Sequence, residues 1–266
     1  DCLSQGLHVL CEKPLATSAE QVRAMIAASR QTHTHLAVGM VRRLSWSSQL
    51  LKRLVQSGML GEIDHFDVEE GGEFNWPLRT GHLFQDGHSG GVIADAGSHV
   101  LDLSLWLLGS QRAQLVRCRD DSRGGVEANA ILELTVERPS GPVSGQVELS
   151  FTRTLRNTIR IYGDSGCFEA PTRSGLEVNF YPEGDNVDPV VMKWPSARPR
   201  KKVEDFATQL SNFTDSIGGS SEEYVSAHEV LTSISLIEQC HRSRESMAQP
   251  WAMKHLESFF EGKSNE

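Results

Sequence analysis

The stretch from Gly90 to Gly109, GGVIADAGSHVLDLSLWLLG, carries three side chains suited to proton chemistry: Asp95, His99 and Asp102. They fall at i, i+4 and i+7, so a uniform helix would stack all three on one stripe. Oxidising a secondary alcohol needs a group that takes the hydroxyl proton as hydride leaves. An imidazole, whose ordinary pKa lies near neutrality, suits that task. Asp95 is placed either to contact substrate or to hold the imidazole. Asp102 reads as an orienting residue or, preferred here, as a helix salt-bridge partner. The plain alternative is a core histidine clamped by Asp102. A second chemical residue is Lys13 in Glu12-Lys13-Pro14. By itself this tripeptide reads as a surface lysine after a strand. At a strand end facing a cofactor, its ammonium would donate to a substrate hydroxyl and depress that hydroxyl's pKa.

The elements that would position these groups follow from hydrophobic spacing. Gly6 to Leu10 reads as a short buried strand, stopped by Pro14, which biases Lys13 to an extended conformation. Thr17-x-x-Glu20 reads as a capping box for a helix with Val22, Met25 and Ile26 on one face. His35 to Met40 is a second strand, and strand–helix–strand at this spacing is a βα unit of a parallel sheet. Loops at the carboxyl ends of such strands carry ligands. Glu12 and Lys13 sit at one such end, and Arg42 and Arg43 at the next. Trp46 to Ser57 is a second amphipathic helix.

From Ile63 the pattern turns to strands. Residues 73–89 form a long loop of a length that is usually functional. The helix from Gly90 is apolar nearly all round, with Val100, Leu101, Leu103, Leu105, Leu107 and Leu108, and should be buried. Val126 to Glu137, Val143 to Thr152 and Thr158 to Tyr162 read as strands of an antiparallel or mixed open sheet. Ile131, Leu134 and Val136 do not share one parity, so both sheet faces are expected to be partly apolar. Val203 to Ile217 and Glu222 to Ser243 read as closing helices. Trp251, Phe259 and Phe260 are expected to dock in the tail.

The bulk properties narrow the class. The chain has 266 residues and a formal charge of -9, which disfavours a general nucleic-acid or anionic-membrane surface. Its five cysteines are scattered, without a C-x-x-C pair, as in a cytoplasmic protein with reduced thiols. No run approaches the ~18 apolar residues of a membrane span. His82, His88, Asp95 and His99 are ligand types for zinc, but their spacing matches no usual zinc pattern, and no metal is expected. No G-x-S-x-G supports serine-hydrolase chemistry.

GLHVLCEKPLA, VGMVRRL, SGGVIADAGSHVLDLSLWLLG and IYGDSGCFE, in this order, closely resemble the Gfo/Idh/MocA oxidoreductases. The resemblance implies α/β and α+β architecture: a partial Rossmann-type dinucleotide-binding domain, then an open-faced, mostly antiparallel sheet domain with helices on one side. The implied division is 1–41 for the C-terminal part of the NAD(P)-binding domain, 42–250 for the substrate and oligomerisation domain, and 251–266 for a tail.

The family's catalytic lysine, aspartate and histidine match Lys13, Asp95 and His99. Glu12, Lys13, Pro14 and Arg43 match its cofactor side; Trp76 and Arg79 match its nicotinamide-side Trp and Arg loosely. The cofactor implied is NAD or NADP. The substrate implied is the CH–OH group of a sugar, inositol or sugar derivative. The implied assembly is a homodimer or homotetramer through the open sheet. The family's opening G-x-G-x-x-G turn does not occur in this sequence, and about 80 residues of a ~150-residue nucleotide domain are expected before Asp1. The other readings are a non-catalytic sugar-binding or scaffold protein of the same fold, and redox-assisted glycoside cleavage or isomerisation.

Overall fold

Strands β1 (Val9–Cys11) and β2 (Leu36–Val38) pair in parallel, with Val9 opposite Leu36 and Cys11 opposite Val38. Helix α1 (Ala19–Gln31) makes the crossover between them. This computed structural model of the chain describes residues 1–74, 90–122, 125–184, 187–199, 201–220 and 224–247. The cap of α1 is displaced by one residue from the expected Thr17–Glu20 box. Ser18 Oγ accepts the Gln21 N–H at 3.3 Å, and the Gln21 side chain accepts from the Thr17 N–H and hydroxyl at 3.1 and 3.0 Å. Thr17 lies outside the first turn, which leaves Glu20 one position short of the residue that closes such a box.

After a 3₁₀ turn over Val41–Leu44, α2 (Trp46–Gln56) leads to β3 (Ile63–Gly71). The segment from Gly91 is helical but not uniform: a π turn over Ile93–Gly97 precedes α3 (Ser98–Leu108). Then come β4 (Ala113–Asp120), β5 (Asn129–Arg138), β6 (Gly141–Ser150), β7 (Thr158–Gly163), β8 (Gly166–Pro171), β9 (Glu177–Pro182) and β10 (Val190–Lys193). Helices α4 (Lys202–Ile217) and α5 (Leu231–Ser243) lead to β11 (Arg244–Ser246).

Among the described residues the large sheet has nine strands, in the order β10-β9-β8-β7-β3-β6-β5-β4-β11. Its β3–β6 and β4–β11 pairs are parallel and the others antiparallel. One face packs on helices. Phe66, Val68, Leu132, Leu134, Val136, Val147, Leu149 and Ile161 are buried there in one core with residues of α2, α3 and α5. At Gly145 on β6 a Cβ would stand 2.0 Å from the Phe66 ring, so only glycine admits that ring between the strands.

The expected split in parity is observed, although the outward face is mostly polar. Leu134 and Val136 share the inward parity with Leu132, whereas Ile131 faces outward beside Glu133 and Thr135. The outward face is laced with ion pairs: Arg119–Glu133 at 3.1 Å, Arg153–Glu148 at 2.8 Å and Arg160–Glu169 at 2.6 Å.

The expected helix from Glu222 also changes. Residues 225–227 instead meet the edge of β2 through a bridge between Ser226 and Ala37, with Val38 N–H to the Val225 carbonyl at 2.8 Å and Ala227 N–H to the Leu36 carbonyl at 3.1 Å. The helix begins only at Leu231. Val22, Ile26, Leu36 and Val38 share a second core with Ala227, Val230 and Ile234. A boundary at residue 41 therefore divides the chain in sequence but not this core. Trp251, Phe259 and Phe260 lie outside the described residues.

Candidate active site

Lys13 follows the carboxyl end of β1 and reaches the π turn. Its Nζ donates to Asp95 Oδ1 at 2.6 Å and to the Asp95 carbonyl at 3.2 Å. The two side chains are 17% and 24% exposed, so the pair is shielded yet reachable. The Asp95 carbonyl also accepts the Ser98 hydroxyl at 2.8 Å. An ammonium has three N–H groups. Both of the hydrogen bonds Lys13 makes among the described residues go to Asp95, leaving one N–H for a ligand. His99 lies four residues past Asp95, half-buried, in the first turn of α3. π turns inside helices recur at functional sites.

Asp102 does not join this group. It is 2% exposed and bound by Arg43, Nε to Oδ2 at 2.8 Å and Nη2 to Oδ1 at 2.6 Å. The remaining arm of Arg43, Nη1, reaches Glu229 at 2.6 Å. Burial works against the charge of Arg43, but Asp102 and Glu229 outweigh it and raise its pKa. Burial pushes the Asp102 carboxyl up, against the pull of Arg43. Two expectations change here. The single stripe does not run from Asp95 to Asp102, because the π turn interrupts the ~100° step between Asp95 and the regular α3 that carries His99 and Asp102. Arg43, expected at the cofactor, is 5% exposed with its guanidinium committed to two carboxylates.

The neighbouring Arg42 meets Glu70 through both terminal nitrogens, and Arg173 Nε adds a contact to Glu70 at 3.3 Å. Burial disfavours the Glu70 carboxylate, yet Arg42 and Arg173 hold its pKa below the usual carboxylate value. Glu70 shares strand parity with Phe66 and Val68, so its inward position was legible in the alternation of β3. It lies opposite Leu149 on β6, against which Gly97 of the π turn packs.

Glu12 is exposed, and its carboxylate lies against Gly39 just past β2, where a Cβ would stand 3.2 Å away. Pro14 is half-buried after a cis peptide bond. Burial, and then Glu12, push the Cys11 thiol up. Trp76, Arg79, His82 and His88 lie outside the described residues. Among the described residues no cluster of His, Cys, Asp or Glu suits a metal ion, and no helix is long and apolar enough to cross a membrane.

A βα unit with a lysine at its strand end, set against an open sheet whose covering helix presents an aspartate and a histidine, defines a dinucleotide-fold unit joined to an open-sheet domain. Residues 1–40 match the oxidoreductase family with an NAD-binding Rossmann fold, and residues 48–169 match the GFO/IDH/MocA C-terminal domain, together more than half of the chain. The chain belongs to the Gfo/Idh/MocA oxidoreductase family.

It is 31% identical to the D-glucoside 3-dehydrogenase of Escherichia coli (strain K12) over 128 residues, 47% of this chain and 36% of that protein. It is 26% identical to the human (Homo sapiens) trans-1,2-dihydrobenzene-1,2-diol dehydrogenase over 167 residues, 62% and 48% of the two chains. The chain thus spans about half or less of the length of these relatives. Its fold is similar to that of the aldose-aldose oxidoreductase from Caulobacter crescentus in complex with glycerol, with a TM-score of 0.74 and 23% identity over 91% of this chain and 71% of that one. An inositol dehydrogenase homologue from Azotobacter vinelandii, in complex with NADH and myo-inositol, gives 0.75 and 19% over 91% and 70%.

Proposed function

We propose that this chain forms the substrate side and the nicotinamide-end floor of an enzyme that oxidises or reduces a CH–OH group of a sugar, inositol or sugar derivative, with NAD or NADP. The observation that carries the reading is the Lys13–Asp95 pair at 2.6 Å, which ties the end of β1 to the helix of His99. The sugar, inositol and diol dehydrogenases among its relatives support a polyol-like substrate.

The residues present fit one end of such a cofactor. Parallel strand ends bearing Glu12, Lys13 and Gly39 suit the nicotinamide side. The glycine-rich turn that would cradle the pyrophosphate is not within these 266 residues. When bound, the nicotinamide supplies the hydride acceptor or donor. The chain's own side chains handle the proton. His99 takes the hydroxyl proton as the C–H bond breaks, and returns it in the reverse direction. Lys13 gives its remaining N–H to the same oxygen and stabilises the negative charge that develops there. Asp95 holds the ammonium in place and balances its charge.

The reading includes a homodimer or homotetramer joined through the polar outward face of the sheet, and a reducing, cytoplasmic setting in keeping with five free thiols. Light scattering over a dilution series tests the assembly; a folded protein that stays monomeric overturns that part. Turnover of a panel of aldoses, inositols and glycosides, followed as reduced nicotinamide, tests the reaction. Oxidation by the wild type that is lost in His99→Ala is the expected result, and equal rates in both would overturn the assignment.

A further inference from the structure

The helix that carries Asp95 and His99 begins deep in the protein, with Val92 and Ile93 fully buried. The first N–H groups of a helix have no partner within it, and burying them unpaired costs about 1–3 kcal/mol each. Gly90 precedes the helix and Gly91 opens it, where a Ser, Thr, Asp or Asn would ordinarily cap it. A distant residue fills that role. The Glu127 carbonyl accepts the Val92 N–H at 3.1 Å, and Glu127 Oε1 accepts the Ile93 N–H at 3.0 Å.

Glu127 is 2% exposed and lies just before β5. The close approach explains the second glycine. Gly91 has φ of +88°, and a Cβ there would stand 2.0 Å from Glu127 Oε1. A histidine and an arginine stand behind the carboxylate: His241 Nε2 lies 3.8 Å from Oε1 and Arg244 Nη1 lies 3.8 Å from Oε2. A carboxylate at a helix N-terminus also opposes the positive end of the helix dipole.

We infer that Glu127 is a positioning residue: its carboxylate, hydrogen-bonded to the Ile93 amide two residues before Asp95, sets the height and rotation at which the π turn presents Asp95 to Lys13 and carries His99 into the site. The catalytic part of this inference rests on the function proposed above; the hold on the helix does not. The carboxylate is needed for its reach to the amide. The contacts with His241 and Arg244 are a support behind it.

Reach and charge separate cleanly in two variants. Glu127→Gln keeps an oxygen acceptor at the same distance and loses the charge. Glu127→Asp keeps the charge and withdraws it by one methylene. Amide hydrogen exchange over residues 92–99 and kcat against KM are measured for both, with the global unfolding midpoint as a control.

The expected result is that Glu127→Asp exposes the 92–99 amides to faster exchange and lowers kcat about 10- to 100-fold, the scale of a displacement of about 1 Å at a reacting group, with KM little changed. Glu127→Gln should keep most of the protection and rate. The reverse order, with Gln loosened and Asp intact, would reduce Glu127 to an ion-pair partner and overturn the inference. Unchanged exchange over 92–99 in both variants would overturn it too. Faster exchange in Glu127→Asp without a fall in kcat would leave the hold on the helix standing and sink the roles of Asp95 and His99. Should Glu127→Asp fail to fold, Gly91→Ala, which pushes a methyl group into the carboxylate, carries the same expectation and the same overturning result.

Discussion

Arg43 and Asp102, 59 residues apart in sequence, close a two-pronged ion pair that joins the end of β2 to the middle of α3. Their side chains are 7% and 2% exposed. The pair ties the 3₁₀ turn that follows β2 to the helix that carries His99. Removing one partner of a buried pair strands the other charge. Asp102→Asn should therefore lower unfolding stability by about 3 kcal/mol, the low end of the usual cost because Glu229 still faces Arg43. Denaturant titration checks this. A wild-type midpoint combined with a large loss of turnover would return Asp102 to the active site.

Lys13 and Asp95 are expected to fail together. Lys13→Ala should lower turnover by ~100-fold or more, the scale for a lost proton-handling group. Asp95→Ala should lower it as well, because it releases the ammonium. Since the two act as one unit, the double variant should be little worse than the worse single one. Steady-state rates for the three variants check this, and strict additivity would show that the two groups act independently.

His99→Ala should cost ~100-fold or more in kcat. It should also remove the titrating base from the pH–rate profile while leaving the unfolding midpoint within the range of half-buried substitutions. The readout is the profile of kcat against pH. An unchanged profile would move the base elsewhere.

Lys52 offers a test by pH. Its Nζ donates to the Trp106 carbonyl and lies 3.5 Å from that of Leu107, at the end of α3. Burial, then Arg43 and Arg138, lower its pKa from the ordinary 10.5 to about 8. Between those values the unfolded chain holds a proton that the folded chain has released, so stability should rise with pH through that window. Below about 8 both states carry the charge and this contribution goes flat. Unfolding midpoints against pH for wild type and Lys52→Gln check it, with the difference between the two curves changing only inside the window.

The cap of α1 gives a smaller test. Ser18→Ala removes the acceptor of the Gln21 N–H and should cost about 1 kcal/mol. Thr17→Ala should cost less, since Thr17 stands outside the first turn. Thermal melts of the two variants check the order, and a larger loss at Thr17 would restore the box expected one residue earlier.

Much of this architecture lies in local patterns. Short apolar strands around an amphipathic helix specify β1–α1–β2, because periods of two and of 3.6 residues need no distant partner to be expressed. Pro14 ends the strand and leaves Lys13 at its tip. The leucine-rich run after Ser98 is apolar on every side and can only be buried. What those patterns lack is the partner of each charge. Arg43 and Arg42 stand side by side, and nothing local tells that one meets Asp102 and the other Glu70. Ion pairs spanning 28 and 59 positions exist only once strands and helices have packed.

The π turn that separates Asp102 from Asp95 is likewise a tertiary decision. Glu127 and Gly91 meet from separate stretches of chain and fix how that helix starts. Sheet parity shows the same limit. Ile131 and Leu132 are adjacent and equally apolar, and only the register with β4 and β6 turns one outward and the other into the core. Residues 225–227 could have been helical, yet the unfilled edge of β2 takes their backbone hydrogen bonds instead. The chain itself set which groups could do chemistry and which segments could carry them. Packing decided which of those groups meet, because the cost of a buried charge or an unpaired amide depends on what the rest of the fold places beside it.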